Sequence, residues 1–107
     1  MAEVYQLDAV DVPPEFPGGN NAMVCYINNE MRYPRQALDN GTCGRVLCGF
    51  IVNSDGKVSD VTVIRRVSPE LDREAVRVIE SMPRWNAAQV EGQNVPVFYM
   101  LPVNFRL

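Results

Sequence analysis

Cys25, Cys43 and Cys48 are the residues of this 107-residue chain whose type best suits covalent or metal chemistry. Their spacing does not support it. Cys43 and Cys48 are separated by an odd step along a predicted strand, so they face opposite sides. No Cys-x-x-Cys pair exists, and the chain has no histidine. A zinc site is therefore not expected, and no histidine-based acid–base or triad scheme is available. Three cysteines leave at least one thiol unpaired within a monomer, and small buried or reduced thiols account for all of them. Asp55 has the chemistry of a general acid, but an Asp-Gly pair between two apolar runs is first a hairpin turn. Gly18-Gly19 lacks the following lysine and preceding strand of a phosphate loop, and so reads as the start of a helix. Trp85 just past a helix reads as packing against a sheet. Arg65-Arg66 reads as a solvated strand end. No catalytic residue, metal or cofactor is expected.

The totals narrow the choice further. The length suits one small domain. Ten basic against 13 acidic residues give a net charge of -3. The charge is uneven: Glu3, Asp8, Asp11 and Glu15 precede Phe16 with no base among them. Residues 1–15 therefore read as an acidic, extended and mobile leader, and 16–107 as a nearly neutral folded domain. No basic run points to nucleic acid. No apolar stretch approaches the roughly 18 residues of a membrane span. The first residues lack the pattern of a secretory signal.

The elements that position these residues follow from periodicity. Phe16-Pro17-Gly18-Gly19 punctuates the chain, and Asn20 and Asn21 have side chains able to cap a helix. Ala22, Met23, Tyr26, Ile27 and Met31 recur at helical spacing. Tyr33-Pro34 ends that helix, and Arg35 to Asn40 is expected to add a further turn closed by Gly41. Val46, Cys48, Phe50 and Val52 alternate with Leu47, Gly49 and Ile51 as a strand. Asn53-Ser54-Asp55-Gly56 turns the chain into a second strand from Val58 to Arg66. Ser68-Pro69 opens a helix whose stripe is Leu71, Ala75, Val78, Ile79 and Met82, and Pro83 ends it. Residues 86–94 read as a polar loop, and Val95 to Phe105 as a last long strand. Pro102 within it cannot donate to a ladder, which predicts an edge strand or a bulge. The predicted fold is α+β in the order α-β-β-α-β. It has a three-stranded antiparallel sheet of order 2-1-3, with two helices packed on one face.

These motifs resemble a known family. Tyr33-Pro34-Arg35-Gln36-Ala37 resembles the Tyr-Pro-x-x-Ala opening of TonB C-terminal domains. Gly41, Gly44, Val46, Phe50, Val52, Asp55-Gly56, Val58, Val61 and Val63 resemble that family's hairpin. Leu71-Asp72, Glu74-Ala75 and Met82-Pro83-Arg84-Trp85 look like its helix and Trp turn. Leu101-Pro102-Val103-Asn104-Phe105 looks like its last strand. Phe16-Pro17-Gly18-Gly19 is similar to one branch with an added helix. Cys43 and Cys48 depart from the ordinary strand residues of the pattern.

The resemblance implies a periplasmic binding module with no chemistry of its own, which couples the proton-motive force to nutrient uptake. Its partners would be outer-membrane transporters, whose TonB box adds as a strand to an exposed sheet edge. It implies tethering to the inner membrane, and inner-membrane motor proteins as partners, through sequence outside these residues. The last strand is the edge in the topology above, which nominates Val95, Val97, Phe98, Tyr99, Met100, Leu101 and Val103. The family places the Tyr-Pro segment beside the docked peptide, which nominates Met31, Arg32, Tyr33, Pro34 and Arg35. Arg32 or Arg35 is expected to pair with a carboxylate of the transporter. A bare edge also predicts homodimerisation. The alternative reading is the peptide-binding module of another envelope protein, a membrane sensor or peptidase, with no transport role.

Overall fold

The computed structural model describes residues 3–107; residues 1 and 2 of the leader lie outside the described residues. Helix α1 spans Asn20–Glu30, α2 Arg35–Asn40 and α3 Pro69–Glu80. Strands are β1 Gly44–Val52, β2 Val58–Arg65, β3 Ala88–Val90, β4 Gln93–Val95 and β5 Val97–Phe105. The main sheet is antiparallel in the order β2-β1-β5, as the sequence predicts.

The period-2 pattern decides which side of the sheet is dry. Val46, Cys48, Phe50 and Val52 of β1 and Val97, Val103 and Phe105 of β5 are buried against the helices. Leu71, Ala75, Val78 and Ile79 of α3 supply the opposing layer. Helix α3 starts as predicted: the Ser68 hydroxyl accepts from the Leu71 amide at 3.3 Å, and Pro69 is the first helical residue. Helix α1 starts differently from the prediction. Gly19 takes the cap position at φ 90° with no side-chain cap, so neither Asn20 nor Asn21 serves as one. Gly41 closes α2 in the left-handed region at φ 68°, as expected.

Trp85 anchors the far end of the core. It is 5% exposed and packs edge-on against Phe16 and Phe50 at 5.8 and 5.7 Å. Its amide donates to the Gly56 carbonyl at 2.8 Å. Gly56 sits at φ 87°, and a Cβ there would lie 2.0 Å from the Trp85 carbonyl oxygen. The turn therefore needs glycine twice, for its backbone angle and for the approach of Trp85. The Asp55 carboxylate accepts from the Lys57 amide at 3.0 Å, the turn role expected of an Asp-Gly pair.

The structure corrects the stretch 86–95. It is a hairpin, β3 paired antiparallel with β4, and not a polar loop running into the last strand. Val95 belongs to that hairpin opposite Ala88, and Pro96 separates it from β5. The leader lies along this hairpin. Val12 exchanges backbone hydrogen bonds with Gln89, Glu15 does so with Asn86, and Tyr5 bridges to Val97.

Candidate partner-docking site

The sheet has two edges, and they differ. Strand β2 slips register against β1 twice, and Asp60 takes φ 52°. Such bulges twist an edge away from further pairing. Strand β5 holds one unbroken register with β1 over nine pairs, from Gly44↔Phe105 to Val52↔Val97. It is the regular edge.

Its outward groups follow from one hydrogen bond. The Phe98 amide donates to the Tyr5 carbonyl at 3.0 Å, on the side away from β1. Backbone groups alternate between neighbours along a strand. Phe98, Met100, Pro102 and Asn104 therefore turn their backbone outward, while Val97, Tyr99, Leu101, Val103 and Phe105 pair with β1. Pro102 has no N–H, so the outward row lacks a donor there. The nominated residues divide accordingly. Phe98 and Met100 turn their backbone outward, where Phe98 already meets Tyr5, and Met100 is 54% exposed. Val97, Leu101 and Val103 are buried core residues, and Tyr99 is half-buried. Pro102 and Asn104 were missed as edge residues, although the alternation around Pro102 could have found them.

The second nominated segment links α1 to α2. Met31 and Pro34 are extended, at φ -70°, ψ 133° and φ -60°, ψ 137°. The segment is held from α3. The Arg32 amide donates to Glu74 Oε2 at 2.7 Å, and Arg77 donates to both oxygens of Glu74 at 2.8 and 2.7 Å. Arg77 also donates to the Glu30 carbonyl at 2.9 Å, which ties in the end of α1. Partial burial raises the Glu74 pKa. The Arg77 hydrogen bond, the Arg32 amide and both positive charges outweigh that and hold it below the usual carboxylate range. Glu74 and Arg77 were not among the predicted site residues, because their contact with the linker depends on how α3 packs.

Tyr33 joins the two halves of the site. Its hydroxyl donates to the Thr42 carbonyl, and its ring packs edge-on against Phe105 of β5 at 5.7 Å. The linker thus lies against the end of the edge strand. Arg32, Arg35, Arg73 and Arg77 line a shallow cleft with Glu70 and Glu74, an excess of positive charge. Arg77 is committed to Glu74, whereas the Arg35 side chain is 92% exposed with Asp39 at 3.9 Å. Arg35 is therefore available to a carboxylate.

The thiols do not compose a second site. Cys25 and Cys43 are exposed and free. Cys48 is fully buried, and burial first, then the charge of Asp72, pushes its thiol up to about 11. A thiol so shifted is protonated at neutral pH and is a poor nucleophile. Among the described residues no cluster of three or more potential metal ligands exists.

Comparison with known proteins identifies the family of this fold. Residues 29–107 match the family described as Gram-negative bacterial TonB protein C-terminal. Protein TonB of Helicobacter pylori strain J99 is 36% identical over 56 residues, which are 51% of this chain and 20% of that protein. The same figures hold for Protein TonB of H. pylori strain 26695. The match thus spans about one fifth of those relatives' length. The solution structure of an H. pylori TonB C-terminal domain superimposes with a TM-score of 0.59 at 26% identity, covering 82% of this chain and 95% of that one. The Pseudomonas aeruginosa TonB C-terminal domain gives a TM-score of 0.56 at 24% identity over 99% and 96% of the two chains, a likeness of fold. The chain belongs to the family of TonB C-terminal domains of Gram-negative bacteria.

Proposed function

We propose that this domain docks outer-membrane transporters in the periplasm and passes on energy derived from the proton-motive force. The transporter's TonB box adds as a strand to the outward edge of β5, and the Met31–Arg35 linker lies beside it. The observation that carries the reading is the regular β5 edge, whose Met100 and Asn104 backbone groups face outward, with Tyr33 of the arginine-bearing linker packed against Phe105 at its end. Strand addition places several main-chain hydrogen bonds along one line, so a pull along the sheet loads them together. Arg35, and Arg32 beside it, pair with an acidic residue of the transporter plug and fix the register. No step of this function requires chemistry from the domain. Inner-membrane tethering and contact with motor proteins belong to sequence beyond these residues. The same edge would also pair two copies of the chain, and light scattering that finds only monomer at high concentration argues against that.

The test is an NMR titration of the labelled chain with peptides from the periplasmic N-termini of outer-membrane transporters. Docking moves the amides of Phe98, Met100 and Asn104 and those of Arg32 to Arg35. No movement with any such peptide, from a folded monomer, removes the transport reading.

A further inference from the structure

The β5 edge is not wholly open. The Tyr5 amide donates to the Pro96 carbonyl at 2.9 Å, and the Phe98 amide donates to the Tyr5 carbonyl at 3.0 Å. Tyr5 therefore runs parallel to the start of β5, opposite Val97. Its half-buried ring packs against the core. The leader thus uses the outward groups that an added strand would need next after Met100. Beyond Tyr5 the edge continues only through Met100, the donor-less Pro102 and Asn104. A strand confined to that window finds two donors, at Met100 and Asn104, with a gap between them.

The contact is built to be given up. Two backbone hydrogen bonds and one half-buried aromatic ring hold the extended Tyr5 segment to β5, and a single 3-10 turn, Leu7–Ala9, follows it beside the strand. The flanking apolar side chains do not help, since Val4 is 40% and Leu7 43% exposed. Farther along, the leader is better anchored. Val12 and Gln89 exchange a pair of backbone bonds, and the Asp11 carboxylate accepts from the Glu91 amide at 2.7 Å. Residues 3–6 can therefore leave β5 while residues 11–15 stay fixed to the β3–β4 hairpin. A segment tethered this close to its seat returns at high effective concentration.

We propose that the Tyr5 segment is a built-in competitor for the β5 edge, so that an incoming extended peptide docks fully only by displacing it. The inference rests on the docking reading above. A competitor lowers apparent affinity by the fraction of molecules with the edge open, so a leader seated nine-tenths of the time costs about tenfold.

The experiment follows Tyr5 and Phe98 in the labelled full chain during titration with a transporter-derived extended peptide, in parallel with Tyr5→Pro. The substitution removes both the donor to Pro96 and the half-buried ring, and alters no residue of the main sheet itself. In the native chain the Tyr5 amide should move to its free position as the peptide binds. In Tyr5→Pro the free protein should exchange its Phe98 amide faster, and the peptide should bind up to about tenfold more tightly. Tyr5→Gly, which keeps the N–H but loses the ring, should fall between. Binding at equal affinity in all three, with Tyr5 unmoved, overturns the competitor and leaves docking intact. Absence of binding in the Tyr5→Pro variant as well as the native chain overturns docking and the competitor together.

Discussion

Gly56 is the most tightly confined glycine among the described residues. Its φ of 87° strains an L side chain, and an added Cβ would meet the Trp85 carbonyl oxygen at 2.0 Å. Neither atom can yield cheaply, because the Trp85 amide is itself bonded to the Gly56 carbonyl and the indole is wedged among Phe16, Phe50 and Tyr99. Gly56→Ala should therefore cost more than the roughly 1 kcal/mol of an ordinary left-handed site, on the order of 2–4 kcal/mol. Urea denaturation followed by Trp85 fluorescence measures it. A loss below about 0.5 kcal/mol would mean that the turn and the Trp85 backbone separate easily. By contrast Gly49, which has no positive φ, is confined by side chains: a Cβ would meet the Phe98 ring at 2.5 Å and Ile64 at 2.8 Å.

At the scale of elements, alternation along β5 separates backbone groups that pair with β1 from those that face outward, where docking is proposed. Met100→Pro removes an outward donor and leaves the pairing with β1 intact, because Met100 turns its backbone away from β1. Leu101→Pro removes an inward donor. The first should keep the domain folded and weaken peptide docking several-fold, whereas the second should cost roughly 3 kcal/mol or more of stability. Thermal melts and the peptide titration read the two effects separately; equal melting temperatures for both variants would refute the assigned alternation. The main sheet was legible in the sequence because its strands alternate over eight or nine residues and Asp55-Gly56 marks the turn. The β3–β4 hairpin was not, since its three-residue strands are too short to display a period among polar neighbours. The leader's seat was illegible for another reason. Its contacts at Tyr5 and Val12 are made largely by backbone, which any sequence supplies. The position of the linker between α1 and α2 was legible through the Tyr33-Pro34 motif. The grip of Glu74 on Arg32, 42 residues apart, arises only when α3 packs against the linker.

At the scale of the whole molecule, stability should depend on pH from two sides with a plateau between. The chain has no histidine, so no side chain with an ordinary pKa titrates near neutrality. On the acid side Glu74 binds its proton more weakly in the folded state, so its contribution is present above the unfolded value of about 4.3. It is lost as pH falls through the folded value, and Glu74→Gln should flatten that limb. On the alkaline side the sign reverses. Burial raises the Cys48 pKa to about 11, so the folded state retains a proton that the unfolded chain releases above about 8.5. That stabilisation is complete below about 8.5 and is lost as pH rises through 11. Cys48→Ala removes the group that titrates, at the cost of a small cavity under the sheet. Its stability at neutral pH should be lower, yet it should fall less than the native chain between pH 8 and 10. Urea midpoints measured across this range decide the matter: parallel slopes for the two proteins would show that Cys48 ionises as readily in the fold as in the unfolded chain, and that water reaches the helix side of β1.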